Sequence, residues 1–331
     1  MLKLRYLFDN RDLALMLLEN WEYDKDAMDM LNNFRISANA VYPYKLNGET
    51  FFLRFVPWNV KNENEMKEEI DFILYLHKEG LNVLEPILSK NGKYLLKKDT
   101  PWGEYLVCAF KRVLGEDLEN FISNENGYSN ELIKDYGKTL GKLHKFSNRY
   151  KKVNKKSCFD LLDELEYIYK NDFNGKAEII ISEFNELKKL LNQIPKNEAN
   201  YGLLHGDFEL DNVFFDKNTG NFSIIDFGNS LYHWYVIDID ITLASLKDEI
   251  SEKDFDNVKT LFLNGYCEEY TYDDKTLEYM PIFKRFEELR EYIELKNILE
   301  ETWDNEPQWM TGLREKLNKY YIKNKYTKLI G

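Results

Sequence analysis

The sequence predicts an α+β fold with a small five-stranded antiparallel N-terminal lobe and a larger, mainly helical C-terminal lobe. Runs rich in aromatic and β-branched residues are concentrated in residues 34–110, helical apolar patterns fill most of the chain after Gly115, and a β-hairpin pattern at 201–230 interrupts them. At 331 residues the chain is too long for one small core. We place the lobe boundary between residues 1–112 and 113–331.

The first elements are a helical pattern and a hairpin. Apolar residues at helical spacing predict one or two helices within residues 12–33, which form an N-terminal extension of the small lobe. Strand-like runs follow at 34–45 and 50–56, and Asn47-Gly48 between them is a strong hairpin signal. Pro57 ends the second run because proline cannot donate to a strand ladder.

The small lobe is completed by a helix and three strands. Asn62 to Lys78 has an acidic start and apolar residues along one side, and Gly80 ends it. Short strands are predicted at 85–89, 94–97 and 104–110. In the larger lobe, helical patterns cover 117–123, 130–146, 158–169, 176–191, 234–247, 253–270, 277–301 and 307–323.

Composition limits the partners and the compartment. The formal net charge of −13 argues against a protein that binds nucleic acid or anionic membranes, because such proteins normally carry a basic face. The three scattered cysteines, including Cys158, have no metal-ligand spacing, and no apolar run approaches the length of a membrane span. We expect a cytoplasmic protein without a signal peptide, either a monomer or a homodimer.

Three oxygen-bearing side chains lie at or next to predicted strand ends within the hairpin stretch. Asp207 follows the break at Gly206, Asn212 comes five residues later, and Asp226 ends the second strand of the hairpin. Phosphoryl transfer needs one carboxylate to orient a hydroxyl, together with an Asn and an Asp for Mg²⁺. The pattern therefore predicts this reaction.

The motif His205-Gly206-Asp207 with Asn212 at +5, followed by Ile225-Asp226-Phe227, resembles the paired signatures of the aminoglycoside phosphotransferase and choline kinase-like enzymes. These are small-molecule kinases with a protein-kinase-like fold. The resemblance implies ATP and Mg²⁺ as cofactors, Asp207 as the catalytic carboxylate, and Asn212 and Asp226 as metal ligands. It also implies a structural role for His205, through bonds to the loop backbone.

The resemblance places the nucleotide clamp in the small lobe. Arg54 occupies the position of the family's phosphate-contacting strand lysine, and a guanidinium offers a fixed bidentate charge for phosphate. Its expected partner is a helix glutamate. Glu69 fits the family register best, with Glu65 and Glu68 as alternatives.

The phosphate loop and the hinge are expected on either side of these groups. The phosphate loop should lie within residues 35–40, where Ser37, Asn39 and backbone N–H groups replace the glycine-rich loop that the sequence lacks. An ordinary turn remains the alternative there. The main chain of Lys111 and Val113, in the segment joining the lobes, resembles the hinge that binds adenine.

Asp238 resembles a family aspartate at a helix start that braces the catalytic loop. Glu209 and Asp211 are expected to be solvated, or at most substrate-facing. Acidic clusters between residues 268 and 306, near Trp303 and Trp309, lie where cation-binding relatives hold their substrates, but most should be solvated helix faces.

The acceptor cannot be read from the sequence. The nucleotide and the hydroxyl of a small molecule, cationic or amino-bearing, are the expected partners. The alternatives are a metabolic kinase of the choline or homoserine type, a stress-response or spore-coat kinase of protein hydroxyls, and a kinase-fold nucleotide-binding or scaffold protein without activity.

Overall fold

The computed structural model describes residues 9–37, 39–61, 63–124, 127–153, 166, 178–271, 273–300, 308–317 and 319. The described residues divide into two compact units, the first drawn from Asp9–Cys158 and Asn197–Asp273 and the second from Phe159–Lys196 and Asp274–Gly331. Every residue predicted to act on nucleotide, metal or acceptor hydroxyl lies in the first unit. The predicted lobe boundary between residues 112 and 113 falls inside that unit and stays a prediction.

An antiparallel sheet forms the N-terminal part of the first unit. Its strand order is β1-β2-β3-β6-β4, with β5 also paired to β6. The strands are β1 (Arg35–Ile36), β2 (Ala40–Leu46), β3 (Glu49–Pro57), β4 (Glu85–Ile87), β5 (Leu95–Thr100) and β6 (Gly103–Lys111). The sheet has six strands rather than five because residues 34–45, predicted as one strand, form two strands, β1 and β2, that pair with each other.

The predicted hairpin turn joins β2 to β3. Asn47 and Gly48 both adopt positive φ, 51° and 78°, as a two-residue turn of this sequence requires. Their amides donate to the Asp24 carboxylate at 2.9 and 3.0 Å. Asp24 belongs to the N-terminal extension, so these two hydrogen bonds fasten the hairpin turn to the extension.

The N-terminal extension covers one face of the sheet. Helix α1 (Arg11–Leu18) and a 3₁₀ helix (Lys25–Asn33) carry the helical pattern predicted for residues 12–33. Apolar side chains from both elements join strand residues in one buried core, whose members include Leu13, Leu17, Trp21, Leu31, Tyr42, Leu53 and Phe55. Burial of these side chains stabilises the fold by the hydrophobic effect.

Helix α2 (Glu63–Lys78) confirms the amphipathic pattern predicted after the hairpin. Met66, Ile70 and Ile73 are buried along one side. Gly80, at φ +87°, terminates the helix, and the amide of Leu81 donates to the carbonyl of Leu76 at 3.0 Å. The glycine is required because this left-handed cap strains any side chain with a Cβ.

The remaining helices follow in chain order. They are α3 (Leu118–Ser123), α4 (Asn130–Val153), α5 (Glu178–Leu191), α6 (Val236–Glu249), α7 (Glu252–Glu269), α8 (Met280–Glu300) and α9 (Gln308–Leu317). The predicted helix at 158–169 lies outside the described residues except for residue 166, and so do Cys158 and Trp303. No helix in the described part of the chain is long and apolar enough to cross a membrane.

Helices α4 and α7 pack through glycines. A Cβ on Gly137 of α4 would overlap the carbonyl oxygen of Phe262, and one on Gly141 would lie 2.6 Å from that of Tyr266. From the other side, a Cβ on Gly265 would overlap the carbonyl of Lys134. The two backbones therefore approach more closely than any larger residue permits.

Short strands carry the candidate site within the same unit. Strand β7 (Glu116–Asp117) pairs with β9 (Val213–Asp216), which forms a hairpin with β10 (Asn221–Ile224), while β8 (Tyr201–Leu203) pairs with β11 (Tyr232–Trp234). The amide of Ile224 donates to the carbonyl of Asn82 at 3.0 Å, and Leu84 donates to Ile224 at 2.9 Å. These bonds tie the hairpin to the segment between α2 and β4.

The second unit is formed around α5 and α8. Arg285 of α8 binds both carboxylate oxygens of Glu183 on α5, at 2.9 and 2.8 Å, in a bidentate ion pair.

Candidate active site

The predicted catalytic loop follows β8. Its glycine, Gly206, has φ +80°, and a Cβ there would overlap the carbonyl oxygen of Asn229. Only glycine therefore allows the loop to touch the segment that follows Asp226. The sequence places Asp207 at the resulting bend.

Asp207 is half-buried, and hydrogen bonds hold both its backbone amide and its side-chain carboxylate. Its amide donates to Nδ1 of His205 at 3.2 Å, and its Oδ2 accepts from the side-chain amide of Asn229 at 3.2 Å. Burial raises the pKa of the Asp207 carboxyl, as do the neighbouring Asp226 and Asp211, while His205 lowers it. Asn229 was not singled out from the sequence, because an Asn three residues after an Asp predicts only a turn.

Asn212 ends the 3₁₀ turn Leu210–Asn212 and is buried. Its side-chain Nδ2 donates to the carbonyl of Asp207 at 3.0 Å, and its own carbonyl accepts from the amide of Ile225 at 3.0 Å. Because the amide nitrogen is bound in this way, the side-chain oxygen is the atom that can serve a metal. The predicted catalytic and metal residues are thus joined directly.

Asp226 is exposed at the end of β10 and adopts the left-handed conformation, with φ 57° and ψ 67°. A non-glycine residue in this region is strained and is often found at a functional site. Its Oδ1 accepts a long bond of 3.4 Å from the amide of Gly228. The carboxylate therefore caps its own turn.

His205 binds backbone, as predicted. Its Nε2 lies 2.8 Å from the carbonyl oxygen of Ile225, an acceptor, so Nε2 carries the proton. Its Nδ1 then accepts from the amide of Asp207. The buried imidazole fastens the catalytic loop to the metal-binding turn.

Asp238 braces the catalytic loop from the first turn of α6. Its fully buried carboxylate accepts from the amide of His205 at 2.9 Å and from that of Gly206 at 2.8 Å. A third bond, 3.0 Å long, joins it to Nε2 of His144. Burial alone would raise the pKa of Asp238, but hydrogen bonds and the nearby imidazoles hold it below its ordinary value.

His144 and Tyr266 extend this brace, and neither was found from the sequence. Burial lowers the pKa of His144, against the effect of Asp238, so the neutral ring donates through Nε2. Its Nδ1 lies 2.8 Å from the Tyr266 hydroxyl, which donates to it. The only sequence signal was a histidine on the apolar side of a predicted helix, which more often indicates core packing than a role near a site.

Arg54 and Glu69 form a buried ion pair, with 2.6 Å between NH1 and Oε1. Glu69 is thus the glutamate, among the three considered, that the structure brings to Arg54. Its other oxygen lies 3.0 Å from Nζ of Lys61. Burial raises the pKa of Glu69, but Arg54 and Lys61 outweigh it and hold the pKa at about 2.

Arg54 retains donors that could bind phosphate. Its Nε and NH2 are buried and have no hydrogen-bond partner within the described part of the chain. Leaving such a donor unpaired costs about 1–3 kcal/mol. Burial lowers the pKa of Arg54, but the Glu69 carboxylate, with a smaller contribution from Asp226, outweighs burial and holds the pKa above its ordinary value. The Arg54 guanidinium and the Asp226 carboxylate are therefore electrostatic neighbours.

The predicted phosphate loop is the turn between β1 and β2. The amide of Ser37 donates to the carbonyl of Asn39 at 3.0 Å, and Ile36 pairs with Ala40. Nδ2 of Asn39 lies 3.9 Å from the position that a Cβ would occupy on Gly228. Asn39 of this turn therefore lies near Gly228, in the segment that follows Asp226, while Ser37 is exposed.

The predicted hinge begins at the end of β6. Lys111 is the last residue of that strand and pairs with both Phe51 and Glu85, and its side chain forms an exposed ion pair with Glu49. Val113 lies beyond the strand, in irregular backbone. A role of either main chain in binding adenine stays a prediction.

Carboxylates cluster beside Asp207. Partial desolvation, followed by repulsion from Asp207 and Asp211, raises the pKa of Glu209. The pKa of Glu119 is raised in the same way, with Asp211 and Glu249 as the nearest charges. Among the described residues, no three His, Cys, Asp or Glu side chains form a group able to hold a metal by themselves.

The acidic clusters further along the chain are partly paired. Glu268 binds Lys134 at 2.6 Å and Lys138 at 3.3 Å, and Glu269 binds Lys145 at 3.0 Å. Trp309 is exposed on α9. These pairs are those of solvated helix faces, which is the ordinary interpretation of such clusters.

Comparison with known proteins decides the family. The model of the phosphotransferase enzyme family (APH) matches residues 37–276, which include every residue predicted to contact nucleotide, metal or acceptor hydroxyl. The chain belongs to this family. It is a phosphotransferase with an alcohol group as acceptor, as the motifs around Asp207 and Asp226 predict.

Three relatives span nearly the whole chain. Amicoumacin kinase of Bacillus subtilis (strain 168) is 23% identical over 325 residues, covering 94% of this chain and 93% of that protein. An amicoumacin kinase solved in complex with AMP-PNP and Ca²⁺ superposes with a TM-score of 0.70 at 21% identity, covering 97% and 95% of the two chains. A microcompartment-associated aminopropanol kinase gives 0.64 at 16% identity, covering 95% and 98%. These likenesses show that the fold is that of protein-kinase-like phosphotransferases.

Proposed function

We propose that the enzyme transfers the γ-phosphate of ATP, with Mg²⁺, to a hydroxyl of a small amino-bearing molecule. The observation that carries the proposal is the joining of Asp207 to Asn212 and to the segment after Asp226 by direct hydrogen bonds. Arg54 supports it, because its unpaired buried donors fit a phosphate group.

Asp207 is the residue that receives the acceptor hydroxyl. Its carboxylate accepts a hydrogen bond from the hydroxyl and aligns the oxygen for attack on phosphorus. Asn229 holds Oδ2, so the side chain is oriented before substrate binds. The raised pKa of Asp207 makes it a better hydrogen-bond acceptor than an ordinary aspartate.

Asn212 and Asp226 are the residues that would hold the metal. Mg²⁺ takes few protein oxygens and keeps waters and phosphate oxygens, so an amide and a carboxylate suffice. When bound, the ion neutralises charge on the transferring phosphate. The protein contributes the orientation: Asn212 is fixed by its bond to Asp207, and Asp226 by the strained turn.

The nucleotide is bound from the sheet side. Arg54, kept in place by Glu69, offers Nε and NH2 to the phosphates. Ser37 and Asn39 extend from the β1–β2 turn toward the same phosphates. The main chain after β6, at Val113, would contact adenine.

The carboxylates beside Asp207 favour an acceptor that carries an amine. Beyond the effect of burial, the charge of Asp211 raises the pKa of Asp207, of Glu209 and of Glu119, and a bound cation would relieve this repulsion. The named relatives point in the same direction, since one is an aminopropanol kinase.

The proposal is tested by incubating the purified protein with ATP, Mg²⁺ and a panel of hydroxyl acceptors. The panel contains amicoumacin, aminoglycosides, aminopropanol, choline and homoserine, with sugars as uncharged controls. Replacement of Asp207 by Asn should lower turnover by about 10²-fold or more while the fold is kept. Full activity in this variant would refute the role of Asp207, and faster turnover of sugars than of amines would refute the amino-bearing acceptor.

A further inference from the structure

Lys61 connects two parts of the proposed nucleotide site that the sequence motifs leave separate. It lies just before α2, outside the catalytic, metal-binding and hinge segments. Its Nζ lies 3.0 Å from Oε2 of Glu69 and 3.1 Å from the carbonyl oxygen of Gly228. Lys61 therefore joins the partner of Arg54 to the turn that follows Asp226.

We propose that Lys61 is a positioning residue that fixes the metal-binding turn Phe227–Asn229 against α2. The inference rests on the nucleotide site proposed above. Among the described residues, the Glu69 carboxylate forms ion pairs with Lys61 and Arg54, so loss of Lys61 leaves it paired with Arg54 alone.

The two oxygens of Glu69 are divided between two cations. Oε1 contacts Arg54 at 2.6 Å and Oε2 contacts Lys61 at 3.0 Å. Breaking a buried pair is costly when one charge is left uncompensated. Glu69 therefore holds both Arg54 and Lys61, and Arg54 keeps Nε and NH2 available for a phosphate.

The bond to Gly228 acts on a strained segment. Asp226 adopts the left-handed conformation, and its carboxylate accepts only a long, weak hydrogen bond of 3.4 Å from the amide of Gly228. A bond from an ammonium group to a carbonyl is stronger than a neutral one. Lys61 thus supplies a charge-assisted hydrogen bond to the carbonyl of Gly228 in this turn.

The same turn extends to the catalytic carboxylate. Phe227 packs edge-on against Phe72 of α2, with ring centroids 5.8 Å apart, and Asn229 donates to Asp207. A displaced turn would therefore change both the ligand Asp226 and the orientation of Asp207. Lys61 acts on the chemistry through these residues and not by contact with the acceptor.

The first measurement uses the protein without ligands. In the Lys61→Met variant, exchange of the hydrogen-bonded amides of Gly228 and Ser230, in and beside the turn, should be about tenfold faster, because one charge-assisted hydrogen bond that holds the turn is lost. Lys61→Arg keeps the charge and should exchange like the wild type. Lys67→Met removes an exposed lysine of α2 and is the matched control.

The second measurement is equilibrium binding of AMP-PNP with Mg²⁺. Lys61→Met should raise Kd about tenfold, Lys61→Arg should restore most of the affinity, and Lys67→Met should change nothing. If Lys61→Met does not fold, Lys61→Gln, which keeps a neutral donor, replaces it in both experiments.

Unchanged exchange at the turn together with unchanged Kd would overturn the inference, as would a loss of stability with neither effect. A wild-type protein that does not bind AMP-PNP would instead refute the proposed nucleotide site. The exchange of the free protein would still decide whether Lys61 holds the turn.

Discussion

Replacement of Asp238 by Asn removes the charge from the carboxylate that braces the catalytic loop and keeps its shape. Asp238 accepts from the amides of His205 and Gly206 and from the ring of His144, at 2.8–3.0 Å. An asparagine presents an N–H₂ where one oxygen stood, so at least one buried donor faces another donor.

The cost follows from these contacts. Each hydrogen bond to a charged group contributes about 1.5–3 kcal/mol, and a donor left unpaired costs about 1–3 kcal/mol more. We therefore expect the free energy of unfolding to fall by roughly 3–5 kcal/mol, in the range seen when a buried charged network is broken. Turnover should fall as well, because Gly206 and Asp207 are no longer held.

Urea unfolding with linear extrapolation measures the free energy of unfolding, and phosphoryl transfer at saturating nucleotide measures turnover. Asp248→Asn is the matched control, since Asp248 is exposed near the end of the same helix. A loss below about 1 kcal/mol for Asp238→Asn would show that the network carries less free energy than its geometry indicates.

Two further predictions concern stability. Because the pKa of Glu69 is held at about 2, below its ordinary 4.5, the unfolded state binds more protons between these values. The ionised Glu69 therefore contributes roughly 3 kcal/mol to the free energy of unfolding above pH 4.5, and this contribution is lost as the pH falls toward 2. The free energy of unfolding of the Glu69→Gln variant should consequently depend less on pH between 2 and 4.5 than that of the wild type. Gly137→Ala should lower the free energy of unfolding by about 1–3 kcal/mol, because the new methyl overlaps the Phe262 carbonyl, whereas Gly312→Ala has open space. Thermal unfolding measures this difference, and equal midpoints for the two alanine variants would contradict the close packing of α4 and α7.

Local sequence signals predicted the elements and the reaction. The Asn47-Gly48 turn, the cap at Gly80 and the hairpin that carries Asp226 depend on residues adjacent in the chain, and the structure contains all of them. The motif around Asp207 was sufficient to predict the family, which the family match confirms.

Contacts between distant residues were not predictable. Lys61 meets Gly228 across 167 positions and His144 meets Asp238 across 94, and no spacing rule connects such pairs. The glutamate partner of Arg54 illustrates the limit. Residue spacing left Glu65, Glu68 and Glu69 open, because all three lie close together on one helix. The family register favoured Glu69, and the structure pairs Glu69 with Arg54.

The catalytic loop between Asp207 and Asn212 is fastened by its backbone. The amide of Glu209 donates to Asp207, the amide of Asn212 donates to Glu209, and the amide of Leu210 donates to the hydroxyl of Ser245. None of these bonds uses the side chains at positions 209 and 211.

Substitutions at positions 209 and 211 should therefore leave the positions of Asp207 and Asn212 unchanged. A library randomised at positions 209 and 211 should yield folded enzymes whose acceptor preferences differ from that of the wild type. One randomised at Gly206 and Asn212 should yield inactive proteins. In this loop, the side chains proposed to face the acceptor are therefore distinct from the backbone groups that hold Asp207 and Asn212 in place.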